Sequence, residues 1–347
     1  MTVLEVIEHL VGMQAQSPNT PYVGLWSRIA GFHIDDLSSL YRSRDVVRIA
    51  AMRSTIHLVS ALDCIALRNA VQPVVDRLFN GGYAKLLKGI DLDEMAALGR
   101  KAVESSPMTF GQIGQHLAAR WPGRDPNALA YGTRALIPLV QVPPRGIWGE
   151  SGLAVHTSAE TWITKECPST IPVEDLVRRY LAAFGPASVR DFQAWSGLTR
   201  TRDTLEAMSS TLVRFQSENG VDLFDLPDAP RPGADVEVPV RFLPEFDNAL
   251  LSHHDRSRII ADKFRKTVYT INGQIPGTVL VDGFVRGRWY IEREKKKATL
   301  RIERFDRWTA DEKAAVRDEG KRLVDFAASE SKSRSVTIAS VRLASDL

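Results

Sequence analysis

The chain has 347 residues, 44% of them hydrophobic and 25% charged, and a formal net charge of +3. These proportions describe an ordinary globular chain, long enough for two or three cores, and permit a localised basic face without demanding one. Two scattered cysteines, Cys64 and Cys167, argue against a disulfide framework or a zinc site. No apolar run approaches the roughly 18 residues of a membrane span, and no secretory leader pattern opens the chain. A reducing cytoplasm is the expected setting.

Val3, Ile7, Leu10 and Val11 recur at helical spacing, so a first helix is expected to run to about Gln14 or Ala15. Pro18 then forces Ser17 out of helical geometry. A second helix should cover Tyr22 to about Ile29, with Leu25 and Trp26 on its apolar side. Asp35 and Asp36 open a third, carrying Leu37 and Leu40 inward, since early acids suit a helix N-terminus. Residues 46–50 and 55–59 are β-rich and bracket Met52-Arg53-Ser54 as a hairpin. Three helices closed by a hairpin make a winged-helix unit.

Residues 61–104 read as linking helices, interrupted at Gly81-Gly82. An internal echo follows. Pro107-Met108-Thr109 and Pro186-Ala187-Ser188 each place a hydroxyl suited to N-capping just ahead of a helical pattern. Each is followed by more helix and then by strand-like sequence, at 139–142 and 212–215. Repetition on that scale predicts tandem modules. From about 221 the character becomes β-rich: 238–242, 266–269, 277–281, 288–291 and 298–302 are short runs punctuated by Gly and Pro. They predict a bent, barrel-like sheet. Thr309 should cap a final helix, after which 335–338 could return as an edge strand. The expected fold is α+β: three winged-helix modules (1–104 with its linker helices, 105–168 and 169–236), then a β-rich segment with a terminal helix (237–347), offering a concave DNA-binding surface.

The candidate chemistry is sparse. No CxxC, HExxH, phosphate-cradling loop or GxSxG elbow is present, so neither a metal nor a cofactor is expected. The acidic group Glu245, Asp247 and Asp255, close to His253 and His254, is the best rival site, since carboxylates can position or activate water; the plainer reading makes Asp247 and Asn248 a turn cap, and a third gives Glu245, Asp247 and His253 a supporting role in a DNA-facing pocket. Basic side chains collect on hairpins: Arg53, with His57 beside it, Arg145, Arg286 and Arg288 around Gly287, and Lys295-Lys296-Lys297. Singly these are more often solvated surface. As a group they suit phosphate contacts. The remaining feature is Gln14-Ala15-Gln16: two carboxamides can accept from and donate to a water and so orient it, although neither is a base.

Several blocks, in order, carry a resemblance. They are Gly12-Met13-Gln14-Ala15-Gln16, Pro21-Tyr22-Val23-Gly24-Leu25-Trp26-Ser27-Arg28, Met52-Arg53-Ser54-Thr55-Ile56-His57-Leu58 and Pro143-Pro144-Arg145-Gly146-Ile147-Trp148-Gly149. Arg179-Tyr180-Leu181-Ala182-Ala183-Phe184-Gly185-Pro186, Leu243-Pro244-Glu245-Phe246-Asp247-Asn248 and Val281-Asp282-Gly283-Phe284-Val285 complete the set. Together they span nearly the whole chain, and the chain resembles the AlkZ/YcaQ superfamily of bacterial winged-helix DNA glycosylases. In that family a glutamine, an apolar residue and a second glutamine form the catalytic motif of the AlkZ branch, whereas the YcaQ branch has aspartate third; Gln16 points to the former. The family also leads us to expect one more helix ahead of the motif.

The resemblance implies a monomeric, monofunctional DNA glycosylase acting on double-stranded DNA, with Gln14 and Gln16 as catalytic residues. It also implies bulky N7 adducts and interstrand crosslinks of azinomycin-type genotoxins as substrates, in DNA repair and antibiotic self-resistance. The residues agree with a cationic purine. A base alkylated at N7 departs neutral, so water positioning without a general acid suffices. The competing reading is a winged-helix DNA-binding regulator without catalysis.

Overall fold

A computed structural model describes residues 1–233, 235–270 and 272–341. It resolves into two units, Met1–Tyr22 with Phe32–Ala229, and Val23–Gly31 with Pro230–Leu347.

The first unit runs one order of elements three times. The first pass is α1 (Val3–His9), β1 (Met13–Gln14), α2 (Thr20–Trp26, counted with the second unit from Val23 on), α3 (Ile34–Arg42), β2 (Val46–Ala50) and β3 (Ile56–Ser60). Two linking helices follow, α4 (Ala61–Ala70) and α5 (Gln72–Gly82). The second pass is α6 (Leu92–Ser105), β4 (Met108–Thr109), α7 (Phe110–Ala118), α8 (Pro126–Leu136), β5 (Leu139–Gln141) and β6 (Val155–Ser158), after which comes the short α9 (Ala159–Trp162). The third is α10 (Val173–Phe184), α11 (Val189–Ser196), α12 (Arg202–Ala207), β7 (Val213–Gln216) and β8 (Asp222–Asp225). In the first two passes the short leading strand pairs antiparallel with the last one, β1 with β3 and β4 with β6. In the third that strand is reduced to a single bridge, Ala187 to Phe224. The two echoed hydroxyls do cap helices: Thr109 and Ser188 each close a reciprocal box with the residue three positions on, Gln112 and Asp191.

The passes are welded together. β2 pairs with β5 (Arg48 opposite Gln141, Ile49 opposite Val140), which fuses the first two hairpins into one six-stranded sheet in the order β1-β3-β2-β5-β6-β4. One apolar core then runs from Val47, Ile49 and Met52 of the first pass to Tyr180, Phe192 and Trp195 of the third. The second pass adds its own core around Met95, Ile113 and Leu129.

The second unit is an open five-stranded sheet with helices, not a barrel. Its elements are β9 (Arg241–Leu243), α13 (Asn248–Leu251), α14 (Asp262–Val268), β10 (Gly277–Val281), β11 (Phe284–Glu294), β12 (Lys297–Arg304), α15 (Ala310–Ala327) and β13 (Ser333–Ser340). The order is β13-β12-β11-β10-β9, and β9 and β13 are not paired with each other. The tail does return as an edge strand, parallel to β12. Thr309 caps α15, which buries Val316, Gly320, Leu323, Val324 and Ala327 along one stripe. Within this unit Trp26 stacks on Phe326, with ring centroids 5.9 Å apart. Buried Asp247 grips Arg28 through two hydrogen bonds of 2.9 and 2.7 Å while capping Ala249.

Two expectations change. Residues 266–269 are not a strand: Phe264 and Val268, four apart, bury one face of α14, and a four-residue β-rich run is too short to outweigh that spacing. The first helix stops at His9, well before the glutamines. Val11 (φ 53°) and Gly12 (φ 89°) both take left-handed backbone, and the Gly12 amide closes the helix end on the Ile7 carbonyl at 2.8 Å. The chain then leaves as β1. A Cβ at Gly12 would lie 2.8 Å from Val59 Cγ1 and 3.0 Å from the Leu58 carbonyl oxygen. Gly12→Ala therefore combines backbone strain with overpacking. It is expected to cost on the order of 3 kcal/mol, seen as a lower urea midpoint at unchanged m-value.

Candidate active site

The Gln14 backbone is fixed by sheet pairing. Met13 and Gln14 lie opposite Leu58 and His57, and the Ala15 amide extends the ladder to the Ile56 carbonyl at 2.8 Å. The Gln14 side chain is nearly buried, at 7% exposure. Two residues on, Gln16 is exposed.

Arg53 fixes the Gln14 carboxamide. Its Nη2 donates to Gln14 Oε1 at 2.7 Å, and its Nη1 donates to the Trp195 carbonyl. A guanidinium has no acceptor, so the amide oxygen must face Arg53 and the amide NH2 must face away. The turn that carries Arg53 is held in unusual backbone. Arg53 and Ser54 have φ of 55° and 57°, a conformation that non-glycine residues keep only when the surroundings enforce it. The surroundings come from the other two passes and the linker. Arg134, on α8, donates to the Ser54 carbonyl at 2.7 Å. Gly197, the left-handed cap of α11, leaves room for the turn: a Cβ there would lie 3.2 Å from Arg53 Cα and 3.0 Å from Val74 Cγ1. The β2–β3 turn is thus cradled inside the first unit, and Arg53 points back at Gln14.

His57, across the strand pair from Gln14, is 2% exposed and its Nδ1 donates to the Thr55 carbonyl at 2.9 Å. Burial, aided by the Arg53 charge, pushes its pKa down to about 3. It is neutral at physiological pH, with its N–H already committed. Beside Gln14, then, stand a guanidinium and a neutral imidazole, neither of which gains or loses a proton near neutrality.

The other expected residues lie elsewhere. Arg145 is half-buried in the loop after β5, and its Nη1 donates to the Gly152 carbonyl at 3.1 Å. That loop is pinned by Tyr22, whose hydroxyl donates to the Gly146 carbonyl at 3.0 Å and accepts from the Trp148 amide at 3.1 Å. Two of the sequence blocks that carried the resemblance are therefore in contact. Arg286, Arg288, Glu245, Asp247 and His253 belong to the second unit. There Arg286 is paired with Asp306 at 3.1 Å and with Glu312, and Arg288 with Glu303 at 2.6 Å. Asp247 is occupied by Arg28, His253 Nε2 meets Arg258 Nη1 at 2.8 Å, and Glu245 is exposed. Lys295, Lys296 and Lys297 are exposed at the β11–β12 turn. Arg134 is the residue that sequence reasoning missed: it lies 80 positions from the Ser54 it holds, and no local pattern signals that contact.

The buried imidazole makes stability depend on pH with a definite sign. The unfolded chain binds a proton at His57 below about pH 6.5, whereas the folded chain resists it until about 3. Stability should therefore fall as pH drops through that window. The share due to His57 is about 2 kcal/mol between pH 7 and 5. His156, held to about 4 by burial, adds to the slope, so urea midpoints measured across this range should vary less steeply for His57→Asn than for the parent.

Comparison with known proteins places this geometry. Streptomyces sahachiroi DNA glycosylase AlkZ superposes with a TM-score of 0.73 over 98% of this chain and 94% of that one, at 19% sequence identity. At that identity the likeness speaks for the fold alone. No curated protein matches the sequence. The family model described as DNA glycosylase AlkZ-like matches residues 7–326. With that match covering nearly all of it, the chain belongs to the AlkZ-like DNA glycosylase family.

Proposed function

We propose that this protein hydrolyses the N-glycosidic bond of cationic N7-alkylpurines in double-stranded DNA, with Gln14 and Gln16 placing the attacking water. The observation that carries the reading is the clamp of Gln14 by Arg53 at 2.7 Å beside a histidine that stays neutral. Expelling a normal purine requires a proton donor to the departing base. Among Gln14, Gln16, Arg53 and His57 none can serve: carboxamides do not ionise, Arg53 is far too weak an acid, and the His57 N–H is held by Thr55. A purine alkylated at N7 brings its own positive charge and leaves as a neutral molecule. The protein's task is then to hold water against the anomeric carbon while positive charge develops on the sugar, which is positioning work.

The two amides divide that task. Arg53 turns the Gln14 oxygen toward itself, so the Gln14 NH2 is the group assigned to donate to the water or a sugar oxygen, while the oxygen keeps a second lone pair. Gln16, at the surface, offers the carbonyl that accepts a proton of the water and points its lone pair at the sugar. Arg53 acts through Gln14 and is a positioning residue. His57 lines the same strand pair. Arg145, Arg286 and Arg288 are read as phosphate contacts, and Glu245, Asp247 and His253 as support for a DNA-facing surface in the second unit. Bulky N7 adducts and azinomycin-type interstrand crosslinks fall within the same chemistry, since each carries the charge at N7; the reading extends to them, and with them to self-resistance. No lysine nucleophile is required, so the enzyme is monofunctional, and it acts as a monomer without a cofactor.

The test is single-turnover release of free base from three duplexes containing N7-methylguanine, an interstrand N7 crosslink or uracil. Release from the first two but not the third is expected. Gln14→Ala and Gln16→Ala should each slow it by about 100-fold or more while duplex affinity is retained. Full activity in both variants, or comparable excision of uracil, would sink the proposal.

A further inference from the structure

The six-stranded sheet carries a second polar row, on the face opposite to Gln14 and His57. Arg48 lies opposite Gln141, and Gln141 opposite His156, so the three side chains line one face side by side. Arg48 is 1% exposed and His156 2%. Arg48 Nε donates to Gln141 Oε1 at 3.1 Å, and that bond turns the Gln141 NH2 outward. The Arg145 loop packs on top: a Cβ on Gly146 would lie 3.0 Å from Arg48 Cδ and 3.0 Å from Tyr41 Cζ. Only glycine lets the loop come down so closely.

This cluster is electrically incomplete. Arg145 Nε is buried without a hydrogen-bond partner, and beyond Gln141 the Arg48 guanidinium has only the neutral Tyr41 hydroxyl beside it. Among the described residues neither Arg48 nor Arg145 forms an ion pair with a carboxylate. Tyr41 cannot supply the negative charge, because burial pushes its pKa up to about 12. Burying an uncompensated guanidinium is unfavourable, and a second cation nearby adds repulsion. Two guanidinium groups with no anion between them, beside a hydroxyl held protonated, suit an oxyanion. Paired, forked N–H donors match phosphoryl oxygens in particular.

We propose that Arg48, Arg145 and Tyr41 form a binding site for a phosphoryl oxyanion, separate from the glutamine strand. The half-exposed Arg145 loop is its point of entry. Two sources share this chemistry, free inorganic phosphate and a DNA phosphodiester. The near-complete burial of Arg48 favours the small free ion. The inference rests on the buried cluster alone and stands whether or not the glutamines are catalytic.

Melting temperature in millimolar inorganic phosphate is compared with that in chloride at equal ionic strength, for the parent, Arg48→Met and Arg145→Gln. A rise of about 3 °C or more for the parent, lost in the variants, supports the site with free phosphate as ligand. Should Arg48→Met fail to fold, Arg145→Gln on the half-exposed loop still decides. Affinity for an undamaged duplex is the second arm. No phosphate effect, but roughly tenfold weaker duplex binding in the variants, assigns the site to a DNA phosphodiester. A phosphate shift that survives both substitutions reveals an adventitious ion only. That result, or no change in either arm, overturns the proposal.

Discussion

A guanidinium can only donate hydrogen bonds, and that one-sidedness organises the first unit around Gln14. Arg53 reaches Gln14 on one side and the Trp195 carbonyl on the other, so it joins a strand of the first pass to a helix of the third. It can do so because its turn is forced into left-handed backbone between Arg134 of the second pass and the Gly197 cap of the third. All three passes thereby contribute to the orientation of one carboxamide. In a lone winged-helix unit the β2–β3 turn would be a solvated wing free to touch DNA. Here neighbouring modules surround it, and a wing becomes the mount for a side chain.

The same packing explains the chemistry that the strand can support. His57 is paired with Gln14 in register, and a histidine at such a place invites assignment as a general acid or base. Burial removes that option by holding it neutral down to about pH 3. What remains around the glutamines is polar, oriented and non-titrating. Such a site cannot help a poor leaving group depart, but it suits one that is already charged.

The two faces of the six-stranded sheet are unlike. The row of Gln14 and His57 continues through Ile49 and Val140 into the apolar core. The row of Arg48, Gln141 and His156 carries polar groups into near-complete burial. Because side chains alternate along a strand, a shift of one residue would exchange the two rows. The β2–β5 pairing that welds the first two passes therefore also decides which polar residues meet which partners.

Much of this was legible in the chain itself. The hydroxyl caps at Thr109, Ser188 and Thr309, the hairpin around Met52-Arg53-Ser54, the returning edge strand and the final helix follow from local chemistry: hydroxyls that satisfy helix-end amides, and period-two or period-3.6 burial. The Gln-Ala-Gln motif and the ordered blocks pointed to the family that the model match then showed. Other features depended on contacts far apart in sequence. The strand at Met13–Gln14 exists because Leu58 and His57 of β3 pair with it. Helix α14 exists because Phe264 and Val268 are buried in a core. Arg53 acquired its partner from Gln14, and its backbone from Arg134 and Gly197. A sequence specifies which groups can cap, donate or carry charge. Which of them meet across dozens of residues depends on packing, and only the folded chain settles that.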